Sequence, residues 1–176
     1  MKRYLQALAL LGSVLGLAAC GGEGGGDAAA TASPDNFNLG GTWDAELPDQ
    51  SDSLGTHKSK GKVALSGNAY TYSWYKSLIG PNGEVVYDMT ETARETGSVS
   101  ATPEYMEWTA ESFGEAQYNQ ADNTWSAIEM KSSKNDYAIQ YTLEGDKLTL
   151  KEDINIDGDF DDVFQVPETL TYTKVK

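Results

Sequence analysis

The chain from about Asn36 to Lys176 reads as one all-β antiparallel domain, either a sandwich or a barrel. Three observations predict it. Side chains alternate with a period of two in several short runs, most cleanly at Tyr70–Tyr75, Tyr105–Ala110 and Tyr137–Leu143. Turn-forming residues interrupt those runs at spacings of about 8–12 residues. No segment beyond the first 20 residues repeats its apolar positions with a 3.6-residue period over a helical length.

The elements follow in order. Asn36-Phe37-Asn38-Leu39-Gly40-Gly41-Thr42-Trp43 opens the domain, and the polar run Ser51–Lys58 reads as loop. Lys62-Val63-Ala64-Leu65 meets a turn at Ser66-Gly67-Asn68. Tyr70, Tyr72 and Trp74 then alternate with Thr71, Ser73 and Tyr75, and Gly80-Pro81-Asn82-Gly83 turns the chain. Val85–Tyr87 and Ser98–Ala101 read as two short strands, the second stopped by Pro103. Met106, Trp108 and Ala110 alternate against Glu107 and Thr109. Tyr137, Ile139, Tyr141 and Leu143 lead through Glu144-Gly145-Asp146 into Leu148-Thr149-Leu150. A last strand lies near Leu170–Val175. Tyr and Thr suit a pleated, half-buried surface. Closure into a barrel would remove exposed sheet edges.

The first 19 residues differ in kind. Lys2 and Arg3 precede an apolar run, Leu5–Ala19, broken only by Gln6, Gly12, Ser13 and Gly16. As a helix this run would span roughly 22 Å, short of the ~30 Å hydrocarbon core, so it reads as the core of a signal peptide. Leu17-Ala18-Ala19-Cys20-Gly21 resembles the lipobox of bacterial lipoproteins. The resemblance implies removal of residues 1–19 and acylation of Cys20 by chains such as palmitate. Two or more chains hold a protein stably where one does not, at ~0.8 kcal/mol per buried methylene. In that family an Asp after the cysteine retains the protein at the inner membrane; Gly21 stands there, which implies the outer membrane. An ordinary secretory signal would instead leave Cys20 as an exposed thiol. Residues 20–36 carry Gly, Ala, Ser, Thr and acids and read as a flexible tether with a reach of about 20–25 Å.

Composition narrows the partners. Without Lys2 and Arg3 the 13 bases fall to 11 against 27 acids, a net charge of −16. That charge disfavours nucleic acid and anionic membrane surfaces and attracts cations. The single Cys permits no internal disulfide, and one His with one Cys makes no zinc set. His57 has no nucleophile motif beside it, and the acids are too many to mark a catalytic pair. The expectation is a protein that is not an enzyme.

Gly41-Thr42-Trp43 at the start of a β-rich domain resembles the Gly-x-Trp signature of lipocalins and related calycin barrels. The hairpin Tyr141–Leu150 and the final strand are similar to the ends of bacterial lipocalin-like lipoproteins. This resemblance implies an antiparallel up-and-down β-barrel over residues 37–176. It also implies that Trp43 closes one end and that a small or apolar ligand enters the other. The sequence departs from the family in two ways. No late Arg is available to pack on Trp43, only Lys174 and Lys176, and there is no cysteine pair. In such a barrel the candidate ligand-lining residues are Tyr70, Tyr72, Trp74, Trp108, Tyr137 and Tyr141, each with an apolar body and most with a polar tip. Alternation does not tell which face turns inward, or whether the rings line a pocket or fill a core. A filled core would make the domain a structural or protein-interaction module.

One further motif lies late in the chain. Asp153, Asn155, Asp157, Asp159 and Asp161 offer oxygens at alternate positions, with Gly158 at position six. Ca²⁺ takes six to eight oxygens, and a Gly permits the sharp bend around the ion. The segment resembles the EF-hand loop over its first nine positions, but Phe164 stands where the bidentate Glu belongs. It is closer to the nine-residue loop of integrin-type repeats. That likeness implies side-chain oxygens from Asp153, Asn155, Asp157 and Asp161 and the carbonyl of Asp159. The expectation is a Ca²⁺ ion that locks the last hairpin.

Overall fold

The computed structural model describes residues 31–152 and 168–176. A 3-10 turn, η1 (Pro34–Phe37), precedes strands β1 (Gly41–Glu46), β2 (Gln50–Asp52), β3 (Gly55–Ser66), β4 (Ala69–Ile79) and β5 (Val85–Ala101). Then come β6 (Tyr105–Glu115), β7 (Tyr118–Asn119), β8 (Thr124–Trp125), β9 (Lys131–Glu144), β10 (Lys147–Lys151) and β11 (Thr169–Lys174). Strands β1, β3, β4, β5, β6, β9, β10 and β11 each pair antiparallel with the next, and β1 pairs with both β3 and β11. The sheet is therefore a closed eight-strand up-and-down barrel. The short β2 extends β3, and β7 and β8 form a separate small hairpin.

Local chemistry explains the tight turns. Gly67 and Gly145 sit at φ 58° and 60°, the left-handed region where a side chain is strained. They turn β3 into β4 and β9 into β10 at the same end of the barrel. η1 lies across that end. Pro34 presets the backbone at its first position, and Asn38 ends the turn at φ 60°. Ser33 Oγ donates to the Gly67 carbonyl at 3.0 Å, and Asp35 Oδ2 accepts from the Gly67 N–H at 3.1 Å. Ala32 pairs with Ala101. Below this cover lies an apolar core that includes Leu39, Trp43, Val63, Leu65, Val99, Met106, Ile139 and Leu148.

Three readings from sequence change. Val85–Tyr87 and Ser98–Ala101 belong to one strand of 17 residues, β5. The polar stretch between them is a strand because β4 and β6 flank it and satisfy its backbone. β9 begins at Lys131, ahead of the alternation at Tyr137, because its first residues pair with Ser112 and Phe113. The run Ser51–Lys58 is not loop: it forms the β2–β3 hairpin and places His57 on a strand, with Nε2 3.2 Å from Asp52 Oδ1.

Candidate functional site

Closure decides which alternating face turns inward. β4 contributes Tyr70, Tyr72 and Trp74, whereas Tyr75 lies outside under the Lys62 ammonium, 5.3 Å from its ring centroid. β6 adds Trp108 and β9 adds Tyr137. The rings meet in one cluster. Tyr70 and Trp108 are 4.1 Å apart between centroids, Tyr72 and Trp74 5.1 Å, and Trp108 and Tyr137 6.1 Å with planes 29° apart. Gly61 on β3 makes space for them: a β-carbon there would lie 3.3 Å from the Trp74 ring and 3.4 Å from the Tyr172 hydroxyl.

The polar tips of these rings converge. Tyr70 donates to Glu95 Oε1 at 2.7 Å, and the Tyr137 hydroxyl donates to the same oxygen. The Tyr72 and Tyr172 hydroxyls pair at 3.0 Å across the barrel. Burial pushes all four phenols above their ordinary range, so each stays protonated and able to donate. For Tyr137 the neighbouring Glu95 charge adds to burial. At the ends of β10 and β11, Glu152 is half-buried and Glu168 is 2% exposed. The Glu152 N–H donates to the Glu168 carbonyl at 2.9 Å, which closes the base of the β10–β11 hairpin. Burial lifts the Glu152 carboxyl above its ordinary value, with the charges of Glu95 and then Glu168 adding to it.

One donor in the cluster is unmet. Trp108 is 1% exposed, and its Nε1–H finds no acceptor among the described residues. A buried orphan donor costs about 1–3 kcal/mol, so the Trp108 Nε1–H is a donor open to a further acceptor atom. Among the described residues no three His, Cys, Asp or Glu side chains come together as a metal set.

The structure thus brings Tyr70, Tyr72, Trp74, Trp108 and Tyr137 into one interior cluster. Tyr141 stands apart, at the η1 end, where its hydroxyl donates to the Thr102 carbonyl at 2.7 Å. Cys20 and the acidic residues Asp153, Asn155, Asp157, Asp159 and Asp161 lie outside the described residues. Sequence reasoning missed Glu95, Glu152, Glu168 and Tyr172. Phase could have found them. Glu95 is in step with Ala93 and Val99, Glu152 with Leu148 and Leu150, and Glu168 with Leu170 and Tyr172. A concavity of about 430 Å³ lies between β6 and the 116–130 connection, lined by Phe113, Glu115, Gln117 and Lys131 among others. It holds none of these residues. No protein-family model, curated protein or solved structure matches the chain.

Proposed function

We propose that this chain is a lipoprotein of the cell envelope, anchored to the outer membrane by acyl chains on Cys20, whose barrel binds a small molecule without transforming it. The observation that carries the binding reading is the polar part of the barrel interior. Beside the aliphatic core, Tyr70, Tyr72, Trp108, Tyr137 and Glu95 gather there, and the Trp108 indole donor is unmet among the described residues. A barrel that only needed filling would be cheaper to pack with aliphatic side chains. Attachment geometry supports the same reading. Ala32 pairs with Ala101 at the η1 end, so the chain enters the barrel at its covered end.

For the lipocalin-like resemblance, the late Arg that the family packs on its Trp is absent, and a cation of another kind, Lys174, lies over the Trp43 ring instead. The proposal includes a Ca²⁺ ion held by Asp153, Asn155, Asp157, Asp159 and Asp161. The strands that flank that segment in the chain, β10 and β11, pair with each other. The alternative, a structural module with a filled core, is favoured by one contact: the Tyr72–Tyr172 hydroxyl pair, which satisfies itself without a ligand.

The test uses residues 20–176 with Cys20→Ser, which keep every strand of the barrel. A small-molecule panel is screened by tryptophan fluorescence. Saturable quenching that is lost in Trp108→Phe supports binding inside the barrel. A protein whose fluorescence no small molecule changes returns the filled-core alternative. Millimolar Ca²⁺ should raise the unfolding temperature relative to chelator, with about 2.7 kcal/mol gained at a hundred times the dissociation constant. Asp157→Ala should abolish that rise. Labelled palmitate should enter the native chain and not Cys20→Ser.

A further inference from the structure

We propose that the ligand of this barrel is a small organic cation, its ammonium group held by Glu95 and Glu152 against the rings of Tyr72, Trp108 and Tyr172. This inference rests on the small-molecule reading above and names the chemistry of the ligand.

The first ground is where the charges lie. The described bases that form ion pairs are spent elsewhere: Lys58 on Asp49, Lys60 on Asp44, Arg94 on Glu91 and Lys176 on Asp146. Lys62 lies over Tyr75 on the outer face and Lys174 over Trp43. Glu95 and Glu152 make no ion pair among the described residues, yet Glu95 is hydrogen-bonded to two interior phenols, and the half-buried Glu152 continues the phase of the buried Leu148 and Leu150. Interior carboxylates without a counter-ion are costly, and a bound cation removes that cost.

The second ground is the walls. The faces of Tyr and Trp rings attract cations, most strongly where water is excluded. Tyr72 stands between Trp74 and Trp108, with ring centroids 5.1 and 6.5 Å away. Its hydroxyl meets that of Tyr172 from the opposite side. Aromatic faces beside carboxylates suit an ammonium ion better than a hard metal, and the described residues offer no metal set. A fatty acid or other anion would meet like charge from Glu95 and Glu152.

The third ground is independent of charge. The unmet Trp108 Nε1–H asks for an acceptor. A cationic ammonium nitrogen has no lone pair to accept a hydrogen bond, so the ligand must also carry an acceptor such as a hydroxyl or ether oxygen. Amino alcohols combine the two.

The test is calorimetric titration of residues 20–176 carrying Cys20→Ser. The probes are choline and its neutral carbon analogue dimethylbutanol, which has the same shape without the charge. Choline should bind at least about tenfold more tightly than dimethylbutanol. Glu95→Gln and Glu152→Gln, both checked for fold by circular dichroism, should each weaken choline by about tenfold or more and weaken dimethylbutanol clearly less. Trp108→Phe should weaken both alcohols. Equal binding of the two probes, or choline binding untouched by both Gln variants, overturns the cation proposal. If apolar dyes bind saturably and choline does not, the cation proposal fails while small-molecule binding stands. If no small molecule binds at all, both fail.

Discussion

The ammonium of Lys174 lies 4.8 Å from the centroid of the Trp43 ring, and the two residues are direct partners across β1 and β11. Trp43 itself is fully buried, and its Nε1–H donates to the Leu39 carbonyl at 2.7 Å. The pair therefore sits at the seam that closes the barrel, tied to the segment that covers its end. Lys174→Met should cost about 1 kcal/mol through loss of the cation–ring contact, and Lys174→Arg should retain most of it. Trp43→Ala should cost about 3–5 kcal/mol. Urea unfolding followed by far-ultraviolet circular dichroism measures all three. A Met variant as stable as the parent would mean that the seam is held by packing alone.

Tyr72 and Tyr172 are a hundred residues apart in the chain and share one hydroxyl contact in the interior. Tyr72→Phe and Tyr172→Phe should each cost about 1–2 kcal/mol, because each leaves the partner hydroxyl unpaired in a buried place. The double variant should cost clearly less than the sum. Additive costs in this cycle would show that the hydroxyls are not coupled.

Two glycines on the inner face differ in how much room they have. A β-carbon at Gly97 would fall 2.0 Å from the Thr109 carbonyl oxygen and 2.9 Å from the Tyr70 ring. At Gly61 the nearest atoms are 3.3 Å away and belong to a side chain, Trp74. Gly97→Ala should therefore destabilise by about 1–3 kcal/mol or more, since backbone must move, and Gly61→Ala by less. Thermal unfolding of both variants gives the order; the reverse order would place the constriction on the wrong strand.

Glu152 supplies a pH dependence. Its carboxyl is raised in the folded protein, first by burial and then by Glu95 and Glu168, above the ordinary value of 4.5. A raised carboxyl favours the fold when protonated, and that stability is lost as pH rises through the folded value. Glu152→Gln should therefore unfold at a higher temperature than the parent at neutral pH. The advantage should shrink as pH falls towards 4.5 and below. An advantage that stays constant with pH would show that the side chain's charge is not its cause.

Much of the strand pattern could be read directly from the residues. The turns at Gly67, Gly80–Gly83 and Gly145 and the alternation at Tyr70–Trp74, Met106–Ala110 and Tyr137–Leu143 all stand where their chemistry places them. Strand lengths were less legible. Asp88–Gly97 and Lys131–Asp136 carry little strand character of their own, and they are strands because neighbours pair with them. The aromatic half of the interior site followed from alternation. Its carboxylates did not, since 27 acids make any one of them inconspicuous until its face is known.

By itself, then, the sequence determined an all-β domain, its turns, and two sets of side chains on each strand. Those properties depend on neighbours one to four residues away, within reach of local sterics and periodicity. Which set faces inward, and which residues meet there, was decided by closure of β1 onto β3 and β11. That choice brings Trp43 to Lys174, Tyr72 to Tyr172 and Glu95 to Tyr137, all distant along the chain. It is set by packing and hydrogen bonding summed over every strand at once, a quantity that no short stretch of residues contains.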